Sequence, residues 1–441
     1  MTDKHHFECV DCHAGYPGDQ VIYLCPACAA SNQPGLPPRG VLKTLYPYQK
    51  IREMHSGSSL FDWLQHERFL PLLPLHTMAS WPRLQVGNTP LYRLDNRDSV
   101  AGTAAKEEPP VEPVNSMMED GKPDFKLFLK DDSQNPTLSF KDRASALVSA
   151  WARENNIRTL ITASTGNAGS SLAGICASQG QESVIVVPAA APLAKLTQIL
   201  MYGAILVPVR GTYDDAFDMS VEITARHGWY NRNTAYNPLT VEGKKTVAFE
   251  LFRQLDYQVP DRIFIPVGDG VIYSAVCKGF EDLLKLGITG RMPVAVAVQS
   301  EGSSNLIANL GRPFVAVASK TVADSISVDV PRCFHMTANY ISEYHGETIV
   351  VSDGEILSAS MQVARTAGIF CEPAAAAAYA GMEKYRRLGI IPAGSTNVVL
   401  LTGSGLKDLN AVQSSISMPE PVRSDPVVVD AFLNKHKRSR S

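Results

Sequence analysis

Short apolar runs, each separated from the next by an amphipathic stretch of helical period, constrain this chain more than any other feature. The runs fall at 125–129, 159–163, 183–187, 204–209, 262–267, 294–298 and 397–401, and the stretches between them include 214–227, 247–255 and 273–286. A strand that is apolar on both faces must be covered on both, and an intervening helix lets successive strands run parallel. The expected fold class is therefore α/β. At 441 residues the chain is long enough for more than one such sheet and a large core. A short strand at 91–94, after Gly87-Asn-Thr-Pro-Leu91, is expected to lead into the first sheet, and no internal repeat is visible.

Charge and targeting signals narrow the function classes. A formal net charge of -3 gives no electrostatic case for nucleic acid or an anionic membrane, so neither is expected as a partner. The basic end Lys435-His-Lys-Arg-Ser-Arg440 reads as a solvated terminus. No apolar run approaches the roughly 18 residues needed to cross a bilayer. The run Ala374-Ala-Ala-Ala-Ala378 is too short for that and reads as a buried helix. No apolar signal segment follows Met1, so a cytoplasmic location is expected, where structural disulfides are uncommon.

The eight cysteines divide into two groups. Cys176, Cys277, Cys333 and Cys371 stand singly in apolar surroundings and are expected to be packed. Cys9, Cys12, Cys25 and Cys28 form two C-x2-C knuckles, which can close a tetrahedral zinc site. Such a closed set would be structural rather than catalytic. A ribbon without metal and a pair of disulfides are the alternatives. Residues 1–35 are expected to form this ribbon, followed by a domain at 36–415 and a tail at 416–441. A Pro/Glu/Gly-rich segment at about 96–124 reads as an exposed insertion.

Four segments carry the chemistry. Lys141 follows a Pro/Ser turn in Asn135-Pro-Thr-Leu-Ser-Phe-Lys-Asp-Arg143 and opens an apolar helical stretch. The loop Ser164-Thr-Gly-Asn-Ala-Gly169 follows a strand and opens another helix. Gly268-Asp-Gly270 lies between a strand and a helix, where backbone N–H groups and the helix dipole suit a phosphate. Thr402-Gly-Ser-Gly405 places hydroxyls at the C-terminal end of a buried strand, where open α/β sheets bind ligands. An amine beside loops suited to an anion points to pyridoxal phosphate. On this plan Lys141 condenses with the cofactor aldehyde and moves protons, Asn167 meets the ring's phenolic oxygen, and Gly268, Asp269 and Gly270 form the phosphate loop.

These motifs, with Val209-Arg-Gly-Thr-Tyr-Asp-Asp-Ala216, Val241-Glu-Gly-Lys-Lys-Thr246 and Leu401-Thr-Gly-Ser-Gly-Leu-Lys-Asp408, resemble those of the threonine synthases. That family belongs to the tryptophan-synthase-β-like pyridoxal-phosphate enzymes of fold type II. The resemblance covers about residues 85–410, and the cysteine ribbon is also similar to one found in some of its members. It implies two parallel-sheet α/β subdomains, the smaller nested at about 142–240, and commonly a homodimer. It also implies conversion of O-phospho-L-homoserine and water to L-threonine and phosphate. Lys141 matches the Schiff-base lysine, Asn167 the partner of the cofactor O3′, and Thr402 the hydroxyl facing the pyridine nitrogen.

Two segments depart from the family pattern. The phosphate loop usually reads Gly-Asn-Gly-Gly-Asn, against Gly268-Asp-Gly-Val-Ile272 here, and Asp269 is expected to turn away from a phosphate or to cap the following helix. In Thr234-Ala-Tyr-Asn-Pro-Leu-Thr240-Val-Glu242, Thr240 stands where the family carries an arginine for the substrate phosphate, and Ala235 where it carries a serine. Loss of a bidentate anchor is not conservative. Arg232, Lys244 and Lys245 are the candidates to take its place. The rival readings are an ammonia-lyase or β-eliminase acting on threonine, serine or a β-substituted amino acid, and a non-catalytic protein whose ribbon mediates contacts.

Overall fold

The computed structural model describes residues 4–55, 59–94, 124–413 and 416–438. The expected insertion at about 96–124 lies outside them except for Asp124. Strands in chain order are β1 (His6–Cys9), β2 (Gly15–Pro17), β3 (Leu42–Leu45), β4 (Leu91–Arg93), β5 (Lys126–Asp131), β6 (Thr159–Ala163) and β7 (Glu182–Pro188). They continue with β8 (Ile205–Val209), β9 (Tyr230–Asn231), β10 (Arg262–Pro266), β11 (Val294–Ser300), β12 (Glu347–Val351) and β13 (Thr396–Leu401).

Three sheets result. The largest has the order β12-β11-β10-β13-β5-β4, all parallel except the antiparallel edge β4. A second, fully parallel sheet has the order β8-β7-β6-β9. It is built from chain lying between β5 and β10. The α/β class thus holds, and the apolar runs are its buried strands. The interior of β6 and the last five residues of β13 are buried throughout, as parallel strands covered by helices must be.

The third sheet is small and antiparallel, β2-β1-β3, and takes in Leu42–Leu45 well beyond the two cysteine knuckles. It is not a free module. Phe7, Cys9, Cys25 and Leu42 share one apolar cluster with Leu147 and Trp151 of the Lys141–Glu154 helix. The ring of Tyr23 stacks on Tyr236, and its hydroxyl accepts from the Asn231 N–H at 3.0 Å.

Helices join the sheets at close crossings. The alanine-rich helix Pro373–Arg387 is buried on the large sheet, as its sequence predicts; a Cβ at Gly381 would meet Val298 at 2.7 Å. The short helix Leu239–Lys244 crosses the Lys141–Glu154 helix so tightly that a Cβ at Gly243 would lie 2.2 Å from the Arg143 carbonyl oxygen. On its other side Gly279, in the helix Val271–Lys285, approaches the Lys245 carbonyl. Glycine at these positions sets how near the helices come.

Arg143 ties the elements together. Its guanidinium donates to Asp132 from Nε at 2.6 Å and Nη2 at 2.9 Å, and to Glu250 from Nη1 at 2.6 Å and Nη2 at 2.8 Å. Lys130 Nζ adds a bond to Glu250 at 2.7 Å. Burial alone would raise the Glu250 carboxyl, but Arg143 and Lys130 hold it well below the usual carboxylate range. Replacing Arg143 with Met leaves two carboxylates without their main partner. The expected loss is about 3–5 kcal/mol of unfolding free energy, read by urea denaturation at neutral pH. Because the folded carboxyl is depressed, its contribution is present above the unfolded value of about 4.3 and is lost as pH falls below it. Gly243→Ala is expected to cost about 1–3 kcal/mol by overpacking, in the same measurement.

Candidate active site

The motif around Lys141 folds by its own polar side chains. Asp142 accepts from the Thr137 N–H at 2.7 Å and its hydroxyl at 2.6 Å, closing the turn before the helix. Asn135 Oδ1 accepts from Gly87 N–H at 2.9 Å, which ties the turn to the strand leading in. Leu138 takes a left-handed conformation, φ 67°, within this turn. The turn then pairs with a loop far away in sequence: the Phe140 N–H donates to the Thr402 carbonyl at 2.8 Å and the Ser404 N–H to the Leu138 carbonyl at 3.1 Å. Backbone bonds thus bring the Lys141 and Thr402 segments side by side.

A cleft of about 550 Å³ opens here, and Lys141, Asn167, Arg232 and Asp269 are among the residues that line it. Lys141 is the first residue of its helix and half-buried. Burial lowers the pKa of its amine, Glu372 opposes the shift, and Arg232 adds to it. Its Nζ makes no hydrogen bond among the described residues. A depressed amine pKa favours the neutral nucleophile.

Asn167 opens the helix Asn167–Gln179 directly after β6. Its amide donates to the Glu372 carboxylate at 3.0 and 3.1 Å and to Ser325 Oγ at 3.3 Å. Burial raises the Glu372 carboxyl, and Asn167 and Lys141 partly offset that. Glu372 does not cap its own helix. It is placed by the neighbouring loop, since its N–H donates to the Gly403 carbonyl at 3.0 Å. A carboxylate next to a proline at a helix start carries no signal in sequence that it will meet Asn167, and the motifs did not single it out.

Gly268 and Gly270 are buried behind the cleft wall at the end of β10. Gly270 has φ 90°, and a Cβ on Gly268 would lie 2.9 Å from the backbone of Ile326. Among the described residues, the amides of Gly268, Asp269, Gly270, Val271 and Ile272 find no acceptor. Asp269 does not cap the Val271–Lys285 helix, correcting that expectation. Its Oδ1 accepts from the Arg332 N–H at 3.0 Å, and it remains on the cleft wall. Capping fails because Gly270, in a left-handed conformation, occupies the N-cap position. Thr402 is buried, and its hydroxyl makes no hydrogen bond among the described residues.

The donor set suits a pyridine aldehyde bearing a phosphate: a neutral-prone amine, an orienting amide, a free hydroxyl at a strand end, and unpartnered amides at a helix start. Of the positions discussed for the missing arginine, Thr240 turns inward, its hydroxyl donating to the Asn237 carbonyl at 2.7 Å. Lys245 is held by Glu242 at 2.5 Å and Asp282 at 2.6 Å. Arg232 faces the cleft instead.

Apart from the cleft, the Sγ atoms of Cys9, Cys12, Cys25 and Cys28 all lie within 4.8 Å of one another, a set able to hold a metal ion. The pairs Cys9–Cys28 and Cys12–Cys25 stand 3.7 Å apart, close to the edge of about 3.8 Å of a tetrahedron with 2.3 Å metal–sulfur bonds. Among the described residues, no helix is long and apolar enough to cross a membrane.

Comparison with known proteins agrees with this geometry. The model of the pyridoxal-phosphate dependent enzyme family matches residues 83–403. The threonine synthase of Methanosarcina acetivorans is 33% identical over 438 residues, covering 98% of this chain and 97% of that protein. The threonine synthase of Methanocaldococcus jannaschii is 31% identical, with 97% and 99% covered. Among solved structures, threonine deaminase isoform 2 from Solanum lycopersicum superposes with TM-score 0.57 at 23% identity, over 67% of this chain and 84% of that one. O-ureido-L-serine synthase gives 0.59 at 18% identity, over 79% and 97%. At such identity the structural matches show a shared fold. The sequence matches go further: this chain belongs to the threonine synthase family of pyridoxal-phosphate-dependent enzymes.

Proposed function

We propose that the protein converts O-phospho-L-homoserine and water to L-threonine and inorganic phosphate. The observation that carries this reading is a single cleft holding the Lys141 amine, shifted toward its neutral form, beside the buried cation Arg232. Bound pyridoxal phosphate would supply an aldehyde that captures amines and a ring that stabilises negative charge at the substrate α-carbon. The chain's own groups do the rest. Lys141 is the residue that would hold the cofactor through its amine, and the same amine would take and return protons at the substrate α- and β-carbons. Asn167, steadied by Glu372, would orient the ring through its phenolic oxygen. The amides from Gly268 to Ile272, Asp269 included, would hold the cofactor phosphate, and Thr402 would offer a neutral hydroxyl to the ring nitrogen. A neutral partner leaves the ring a weaker electron sink than a carboxylate would, which favours elimination and replacement over transamination.

One observation favours a second reading. Thr240 and Ala235 offer the cleft no phosphate contact, as β-elimination from serine, threonine or a β-substituted amino acid would allow. Incubation with O-phosphohomoserine, threonine, serine and diaminopropionate separates the two. Threonine and phosphate appearing in equal amounts is the expected result; a 2-oxo acid and ammonia without phosphate release would establish the eliminase. Lys141→Ala is expected to lower kcat by roughly 10²–10⁴-fold or more and to abolish borohydride trapping of the cofactor on the chain.

The four-cysteine set reads as a structural zinc site that fixes the ribbon against the core, within a cytoplasmic, homodimeric enzyme. Metal analysis is expected to find one zinc per chain. Cys25→Ser should lose it and lower the melting temperature, while the remaining folded protein keeps its kcat. Loss of kcat without loss of fold would assign the metal a catalytic role.

A further inference from the structure

The guanidinium of Arg232 is wholly buried, and neither Nη1 nor Nη2 has a hydrogen-bond partner. Only Nε is engaged, donating to Ser145 Oγ at 3.2 Å. Lys244 is 1% exposed, and its Nζ makes no hydrogen bond or ion pair among the described residues. Lys141 and Arg232 line the cleft, and Lys244, buried beside them, is close enough for both to lower its pKa by repulsion, in addition to burial. A buried charge without a close partner is costly, and buried polar atoms without partners are uncommon unless a ligand supplies them.

The fold goes out of its way to place them. Arg232 follows β9, whose Asn231 is held by Thr224 at 2.9 Å. Lys244 ends the helix whose Gly243 lets it approach the backbone of Arg143 and Ala144, next to Lys141. The nearby carboxylate of Asp269 accepts from the Arg332 N–H and attracts Lys244, but it makes no ion pair or hydrogen bond with Arg232 or Lys244.

We propose that Arg232 and Lys244 form the subsite for the phosphate of the substrate, taking over from the arginine whose position is occupied by Thr240. This rests on the reading of O-phosphohomoserine as substrate and names the residues that select it. A phosphate dianion presents the charge and acceptor oxygens that a guanidinium fork and an ammonium require. The cofactor's phosphate has donors of its own in the unpartnered amides from Gly268 to Ile272, so the cleft offers two anion-binding elements for two phosphates.

The test uses the holoenzyme and the variants Lys244→Gln, Lys244→Arg and Arg232→Lys. Three readouts are taken: steady-state kinetics with O-phosphohomoserine, equilibrium binding of its phosphonate isostere 2-amino-5-phosphonopentanoate followed by cofactor absorbance, and cofactor affinity by titration of the apoenzyme. Lys244→Gln and Arg232→Lys are expected to raise KM and the phosphonate Kd roughly 10- to 100-fold. Lys244→Arg should recover most of that, and cofactor affinity should stay as in the parent. Unchanged KM and Kd in a parent that makes threonine would overturn the subsite. So would a parallel loss of cofactor affinity, which would assign the cations to the cofactor's phosphate. If the parent releases no phosphate from O-phosphohomoserine, the functional reading fails by itself. The phosphonate Kd then still judges the subsite, and equal binding by parent and variants would overturn it.

Discussion

The bidentate grip of Arg143 on both Asp132 and Glu250 is the interaction on which the site depends. Arg143 lies in the first turn of the Lys141–Glu154 helix, Asp132 just after β5, and Glu250 on the helix Thr246–Gln254. One buried cation therefore fixes the Lys141 helix against two further elements. Buried ion pairs contribute little net stability against a well-packed apolar alternative, yet they are costly to break and select one geometry. Here that geometry sets the direction in which Lys141 enters the cleft.

Around this anchor, the site forms where strands end. Asn167 follows β6, the Gly268 loop follows β10 and Thr402 follows β13, all at the C-terminal ends of parallel strands, where helix N-termini gather and ligands bind. The chain joins the loops by direct backbone pairing, Phe140 to Thr402 and Glu372 to Gly403. The result is a cleft with two chemical characters. Lys141 and Glu372 are both shifted by burial toward neutral forms, suited to proton movement. Arg232 keeps both Nη atoms unpartnered, and burial and its cationic neighbours push the Lys244 amine toward its neutral form, so that an anion bound between them would favour its protonation.

Much of this was legible from residue order. Apolar runs read as buried parallel strands because a strand covered on both faces has no polar positions to show. β9 and β12 escaped for opposite reasons. β9 is two residues long, and β12 is a half-exposed edge that begins at Glu347, so neither has the continuous apolar signature. The fate of the arginine's stand-ins could not be read either. Arg232, Lys244 and Lys245 are equal as cations in a string of letters. Only packing shows that Lys245 is paired with Glu242 and Asp282 while Arg232 is left with both Nη atoms unpartnered and Lys244, among the described residues, without an ion pair.

By itself the sequence determined the α/β class, and it pointed to the amine, the loops that flank it and the four clustered thiols, because each rests on local spacing and residue chemistry. Tertiary structure alone decided which charges are neutralised and which face a ligand. Glu372 came to Asn167, and Arg232 and Lys244 came to Lys141, through contacts between distant segments, and a buried charge takes its meaning from the neighbours that folding brings to it.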